Sequence, residues 1–261
     1  MTEKYVNVTL EQSIATVEIQ HPPANALSSG CIDELRKTFR NLAGEEKAKA
    51  IILTGSGRFF VAGADIKEFV HAFDHEKKSY AMAEAGQALC DEIEAMNKPV
   101  IAAINGPALG GGLEVALSCH YRIASQTAIL GLPELKLGLI PSFGGTQRLT
   151  EIIGTAKALD MILSSKQLSV EEAAELCLVQ TIAEPDELYQ TAHTLAASWI
   201  DGKSMTSVTR ALECIIQGSQ ETRENGLQRE RQKFSELFCT EDAKEGVQAF
   251  IDKRKPEFIH G

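Results

Sequence analysis

Apolar and polar residues alternate through "YVNVTLEQSIATVEIQ" on either side of a polar break. A period of two interrupted in this way predicts a β-hairpin. The two prolines of "HPPANALSS" exclude helix there, and Ser28 or Ser29 is placed to cap the next one. Leu27, Ile32, Leu35, Phe39 and Leu42 then recur at helical spacing. "AIILTG" is a short continuous apolar run closed by Gly55, which suits a buried strand. "SGRFFVAGADIKEF" reads as a glycine-containing loop leading into a helix, and residues 78–97 read as a long helix stopped by "NKP". "VIAAING" repeats the pattern of buried strand and terminal glycine. The glycines of "ALGGGLEVAL" (108–117) come next, then a helix and the strand "YRIAS". "AILGLPELKLGLIPSFGGTQRL" reads as loop-rich, broken at Pro133 and Pro141. From Gly144 the chain reads as mostly helical, with a capping box at "SVEEA" in which Ser169 caps and Glu172 answers. After "VQTIAEP" the strand signal ends. Strands alternating with helices, followed by helices alone, predict an α/β architecture with a helical tail.

The 261 residues are enough for one large domain or one domain with an appendage. The net charge of −10 argues against nucleic acid as the main partner, though local cations can still hold an anionic small ligand. Six cysteines are scattered without a CxxC pair or zinc-finger spacing, so they read as reduced thiols and no metal site is expected. The stretch "MTEKYVNVTL" has no apolar signal core and no run approaches a membrane span. The expectation is a cytoplasmic protein.

One carboxylate, Glu114, lies inside the apolar run that follows the glycine triplet. Buried charge is costly unless it is paired or functional. The junctions "ILTGSGRFFVAGADIKEF" and "VIAAINGPALGGGLEVAL" each place small residues and exposed backbone N–H groups before a helix. Helix starts carry unpaired N–H donors, and two that converge on one point stabilise an oxyanion. Taken singly, the glycines also fit tight turns. Glu114 alone also fits an exposed helix-start residue, and Glu134 a solvated turn residue.

Together, "AGADIKEF" (62–69), "KPVIAAINGPALGGGLEVAL" (98–117), "GLPELKLGLIPSFGGTQRL" (131–149) and "FIDKRKPEF" (250–258) resemble the enoyl-CoA hydratase/isomerase, or crotonase, superfamily. The resemblance covers essentially the whole chain. It implies a crotonase-like spiral of ββα units over residues 1–195 and a C-terminal helical trimerisation region over 196–261. It also implies an acyl-CoA thioester substrate and a trimer or a dimer of trimers, with no nucleic-acid or membrane partner and no cofactor beyond the CoA of the substrate. By resemblance, the N–H groups of Ala64 and Gly111 form the oxyanion hole, and Glu114 and Glu134 are the catalytic pair. Glu134 would exchange the C2 proton. Glu114 would bind the water and share the base role. Ala64, Asp65, Ile66 and Lys67 would lie along the CoA path, and Lys253 of the "KRK" motif would reach CoA phosphates, sometimes from a neighbouring subunit. Lys253, Arg254 and Lys255 also fit a basic helix end that complements the dipole.

Adding water across the 2,3-double bond of a trans-2-enoyl-CoA needs a base at C3 and an acid at C2. A carboxyl pair in a partly dry pocket divides those roles. Isomerases of the family generally need one of the two acids, so retention of both favours hydration over isomerisation. A noncatalytic acyl-CoA- or RNA-binding member is disfavoured by the intact pair, by the acidic balance and by the lack of a long lysine-rich helix. The sequence departs from relatives at His120, read as structural, and at Leu113, Leu130 and Leu132, read as pocket-lining changes. His21 reads as a loop residue, and His71 and His75 as a solvated face. Leu195, Trp199, Ile215, Leu227, Phe234, Leu237, Val247 and Phe250 supply the apolar positions of the tail helices.

Overall fold

The computed structural model describes residues 4–259. The hairpin is β1 (Val6–Glu11) and β2 (Ile14–Ile19), antiparallel, with Val6 opposite Ile19. α1 (Ser29–Gly44) follows, capped by Ser28, whose Oγ accepts the Cys31 N–H. β3 (Ala50–Gly55) then leads through a loop to the four-residue α2 (Ile66–Phe69) and the long α3 (Glu76–Glu94). Next come β4 (Val100–Ile104), β5 (Ala108–Leu109), α4 (Gly111–Ser118), β6 (Tyr121–Ser125) and β7 (Ile129–Gly131). A single 3-10 turn at Glu134–Leu137 separates β7 from α5 (Gly145–Ile153) and α6 (Thr155–Leu163). β8 (Gln167–Ser169), α7 (Val170–Glu175), β9 (Thr181–Ala183) and α8 (Leu188–Ile200) complete the spiral. The tail is α9 (Met205–Ser219), α10 (Arg223–Leu237) and α11 (Glu241–Ile251).

After the β1–β2 hairpin, each turn of the spiral lays one strand into a six-stranded sheet of order β1-β2-β3-β4-β6-β9, parallel from β2 onward. The short β5, β7 and β8 form a second sheet. Side chains alternate across a strand, so β3 and β4 feed two cores. Ile51, Leu53, Val100 and Ala102 face the large core that includes Leu35 and Phe39 of α1 and Leu89 and Ile93 of α3. Ile52, Ile101 and Ala103 face Leu188, Ala192, Ala196 and Ile200 of α8. A sheet covered on both faces needs the near-continuous apolar strands seen in the sequence.

Three expectations shift. β7 and β8 lie within stretches read as loop and helix, because strands of three residues are too short to show a period. The helix expected over 78–97 runs from Glu76 to Glu94. The boundary between residues 195 and 196 falls inside α8, which packs on the sheet as one piece, with Leu195 and Trp199 beside the core. By contrast Ile215, Phe234, Val247 and Phe250 are exposed on the tail helices.

Candidate active site

The two glycine-bearing junctions lie side by side. Val61 and Ala108 form a parallel bridge, with Val61 N–H donating to the Pro107 carbonyl and Leu109 N–H to the Val61 carbonyl. A second bridge pairs Leu27 with Ala64, using the Gly63 carbonyl and the Asp65 N–H. In a parallel pairing the residue between those two groups turns its own N–H the other way. That leaves the Ala64 N–H outside the ladder. Gly111 is the first residue of α4, where N–H groups have no acceptor within the helix. Gly110 takes φ +52°, and a side chain there would meet a Glu134 oxygen at 2.7 Å and lie 3.8 Å from Gly63 Cα. The glycines therefore serve close approach between two loops and a carboxylate.

Ala64, Gly111, Glu114 and Glu134 all line one cleft of about 760 Å³. Its wall is largely apolar, with Phe69, Met82, Leu139, Ile140 and Phe143 among the lining residues.

Glu114 is only 1% exposed, which overturns its reading as a solvated helix-start residue. Its Oε1 accepts the N–H of Phe143 at 2.8 Å and of Gly145 at 2.7 Å. Burial drives its pKa up to about 7, and the nearby Glu134 adds to the rise, while the two N–H donors and Arg148 oppose it. Glu134 sits at the start of the 3-10 turn after Pro133, and burial raises its pKa as well. Its Oε2 is buried without a hydrogen-bond partner among the described residues. A buried, unpartnered carboxyl oxygen is costly and points to a group that works on something else in the cleft.

The CoA-path residues divide. Ile66 lines the cleft and is exposed. Asp65 and Lys67 are outside the lining: the Asp65 carboxylate caps α2 by accepting the Lys67 N–H, and Lys67 is exposed. Lys253 follows α11 with φ +55° and is not part of the cleft wall of its own chain. Arg254 is held by Glu245 at 2.6 and 2.8 Å, and its N–H donates to the Ala249 carbonyl, so the basic run lies at the C-terminal end of α11.

Leu113, Leu130 and Leu132 are fully buried in the core and do not line the cleft, which corrects their reading as pocket residues. His120 is structural: its Nδ1 accepts the Val100 N–H and its Nε2 lies 3.0 Å from the Glu94 carbonyl. Sequence reasoning gave no role to Phe143 or Gly145, although the paired glycines of "SFGGTQRL" were a visible signal. It also missed Glu68, whose carboxylate accepts the Ser29 N–H and hydroxyl and ties α2 to the start of α1.

The fold and site together define a spiral of ββα turns that brings the backbone of Ala64 and Gly111 and two carboxyls into one largely apolar cleft. The enoyl-CoA hydratase/isomerase family model matches residues 9–261. A probable enoyl-CoA hydratase of Bacillus subtilis is 46% identical over 97% of this chain and 98% of its own. A short-chain-enoyl-CoA hydratase of Clostridium acetobutylicum is 40% identical over 96% and 97%. The crystal structure of an enoyl-CoA hydratase from Bacillus anthracis superposes with a TM-score of 0.93 at 35% identity, covering 99% of this chain and 100% of that one. The chain belongs to the enoyl-CoA hydratase/isomerase family.

Proposed function

We propose that this protein is an enoyl-CoA hydratase, converting a trans-2-enoyl-CoA to the 3-hydroxyacyl-CoA. The observation that carries the reading is the pair Glu114 and Glu134 in one cleft with the Ala64 and Gly111 backbone. Isomerisation has no evident use for the second acid. Full-length relatives bearing the hydratase name support the same choice.

The thioester oxygen accepts the N–H groups of Ala64 and Gly111. Both N–H bonds to Glu114 fall on Oε1, so Oε2 is the oxygen that holds the water. The water oxygen forms a bond to C3 as Glu114 takes one of its protons. The electron pair of the 2,3-bond moves onto the thioester, whose oxygen becomes an enolate held by the two N–H donors. Such donors are worth most where charge develops in a dry site. Glu134, whose carboxyl burial pushes up from the ordinary carboxylate range, is the acid of the pair in this reading and gives its proton to C2. The enolate collapses and the thioester carbonyl returns. One hydrogen and one hydroxyl have been added, and the proton passes from Glu114 back to Glu134. Water and two carboxyls supply every atom, so the reaction needs no cofactor beyond the CoA of the substrate.

In this reading the backbone of Ala64, Asp65, Ile66 and Lys67 follows the CoA, and Lys253 reaches its phosphates from a neighbouring subunit. The exposed apolar residues of α9–α11 support assembly as a trimer or a dimer of trimers. The six free thiols fit the reducing cytoplasm. The test is loss of conjugated-thioester absorbance with enoyl-CoA substrates of increasing acyl length. A folded sample inactive on the whole panel refutes hydration.

A further inference from the structure

Arg148 lies in the first turn of α5 and is 9% exposed. Its guanidinium points back under the preceding turn. Nη1 donates to the Phe143 carbonyl at 3.1 Å. Nε and Nη2 donate to Glu94 Oε2 at 3.0 and 2.8 Å, and Nη2 to Asp91 Oδ1 at 2.6 Å. Asp91 and Glu94 belong to the last turn of α3, and the Glu94 carbonyl is in turn held by the His120 ring. The fork therefore clamps the Phe143–Gly145 turn to a second element. The fit is close. Gly144 takes φ +101°, and a side chain there would lie 2.3 Å from Nη1. On the far side of the same turn, the Phe143 and Gly145 N–H groups hold Glu114 Oε1. The Phe143 ring is also fixed, since a methyl group at Gly86 of α3 would lie 2.1 Å from it.

We propose that Arg148 is a positioning residue for the reaction: by holding the Phe143 carbonyl it fixes the turn whose two N–H groups aim Glu114 at the reacting water. A planar fork with several donors suits this task in a way a lysine ammonium does not. The aim of Glu114 rests on the hydration reading, whereas the clamp itself does not. A simpler tie between α5 and α3 would affect stability alone. The two differ in what happens at Glu114. The charged and titratable groups that face its carboxyl are Glu134 from the turn after Pro133, Cys90 from α3 and Arg148 from α5. Of these, only Arg148 favours the ionised form of Glu114.

The experiment compares Arg148→Gln and Arg148→Lys with the wild type by two measurements. One is kcat and KM for enoyl-CoA hydration across pH. The other is an infrared titration of the carboxyls, with Glu114→Gln assigning the band, which needs no turnover. In Arg148→Gln, kcat falls about tenfold or more, since small misplacements of a reacting group are costly. KM stays within about twofold, because no contact to substrate is lost. The Glu114 titration moves to higher pH, and the acid limb of the profile moves with it. Arg148→Lys keeps the charge and loses the fork, so its kcat stays low while the titration returns toward that of the wild type. A folded Arg148→Gln with kcat within twofold and an unmoved Glu114 titration overturns the proposal, even if its Tm has dropped. If Arg148→Gln does not fold, an Arg148→Lys variant with wild-type kcat overturns it. An inactive wild type refutes hydration, and the infrared titration still decides whether Arg148 governs Glu114.

Discussion

The Gly145 N–H donates to Glu114 Oε1 at 2.7 Å, and a methyl group placed at Gly145 would lie 2.8 Å from that same oxygen. One residue thus supplies the donor and, by lacking a side chain, the space for the acceptor. Gly145→Ala should leave α5 intact, because alanine is a better helix former than glycine. It should displace the Glu114 carboxyl and lower kcat on the order of 100-fold. Circular dichroism and the hydration assay on the same sample check this. Normal turnover in Gly145→Ala would show that the close fit is not needed.

Glu114→Gln and Glu134→Gln should each lower kcat by roughly 10²–10⁴, the usual cost of losing a positioned acid or base. Both variants should fold, since glutamine keeps the shape and the acceptor oxygen. Steady-state kinetics at saturating substrate measures it. Near-normal turnover in either variant removes that residue from the mechanism.

Stability should depend on pH through Glu114. Its folded pKa is about 7 against an ordinary 4.5. Between those values the folded chain holds a proton that the unfolded chain releases, so stability is lost as pH rises from about 4.5 to about 7. A shift of this size corresponds to roughly 3 kcal/mol. Glu114→Gln has no proton to lose. Urea unfolding at pH 5 and pH 8, at one protomer concentration, should show the variant gaining on the wild type at the higher pH. A stability difference independent of pH would mean that Glu114 ionises freely in the fold.

Gly111→Pro removes the N–H assigned to the oxyanion, and proline is tolerated in the first turn of a helix. The loss of one such donor costs roughly 10²–10³ in kcat. Turnover should fall by at least that factor while circular dichroism stays unchanged. An active, folded variant contradicts the assigned hole.

Removing residues 240–261 deletes α11 and, with it, the exposed Val247, Phe250 and Ile251 as well as Lys253. Assembly and CoA affinity should both weaken. Light scattering and enoyl-CoA titration on the truncated chain measure the two effects. A full-length protein that is monomeric at micromolar concentration rules out the subunit arrangement.

Local signals were legible wherever the cause was local. The hairpin, the Ser169–Glu172 capping box and the buried strands follow from period and turn chemistry within a few residues. The glutamates and oxyanion residues were legible because motif and resemblance named them. Leu113, Leu130 and Leu132 were misread, since a residue next to a motif in sequence can point into the core instead of the cleft.

The chain by itself therefore determined the order of the longer strands and helices, the carboxyl pair and the glycines that allow close approach. The environment of those groups was decided only by folding. The Val61–Ala108 bridge is what sets the two glycine junctions side by side, and it joins positions 47 residues apart. Glu114 receives its N–H donors from residues 29 and 31 positions further along, on a turn braced by Arg148 against α3. Burial of Glu114 comes from the packing of α3, α4 and α5 together. A carboxylate's pKa depends on the solvent and charges around it, and these are fixed by contacts between elements, which no periodicity in the sequence encodes.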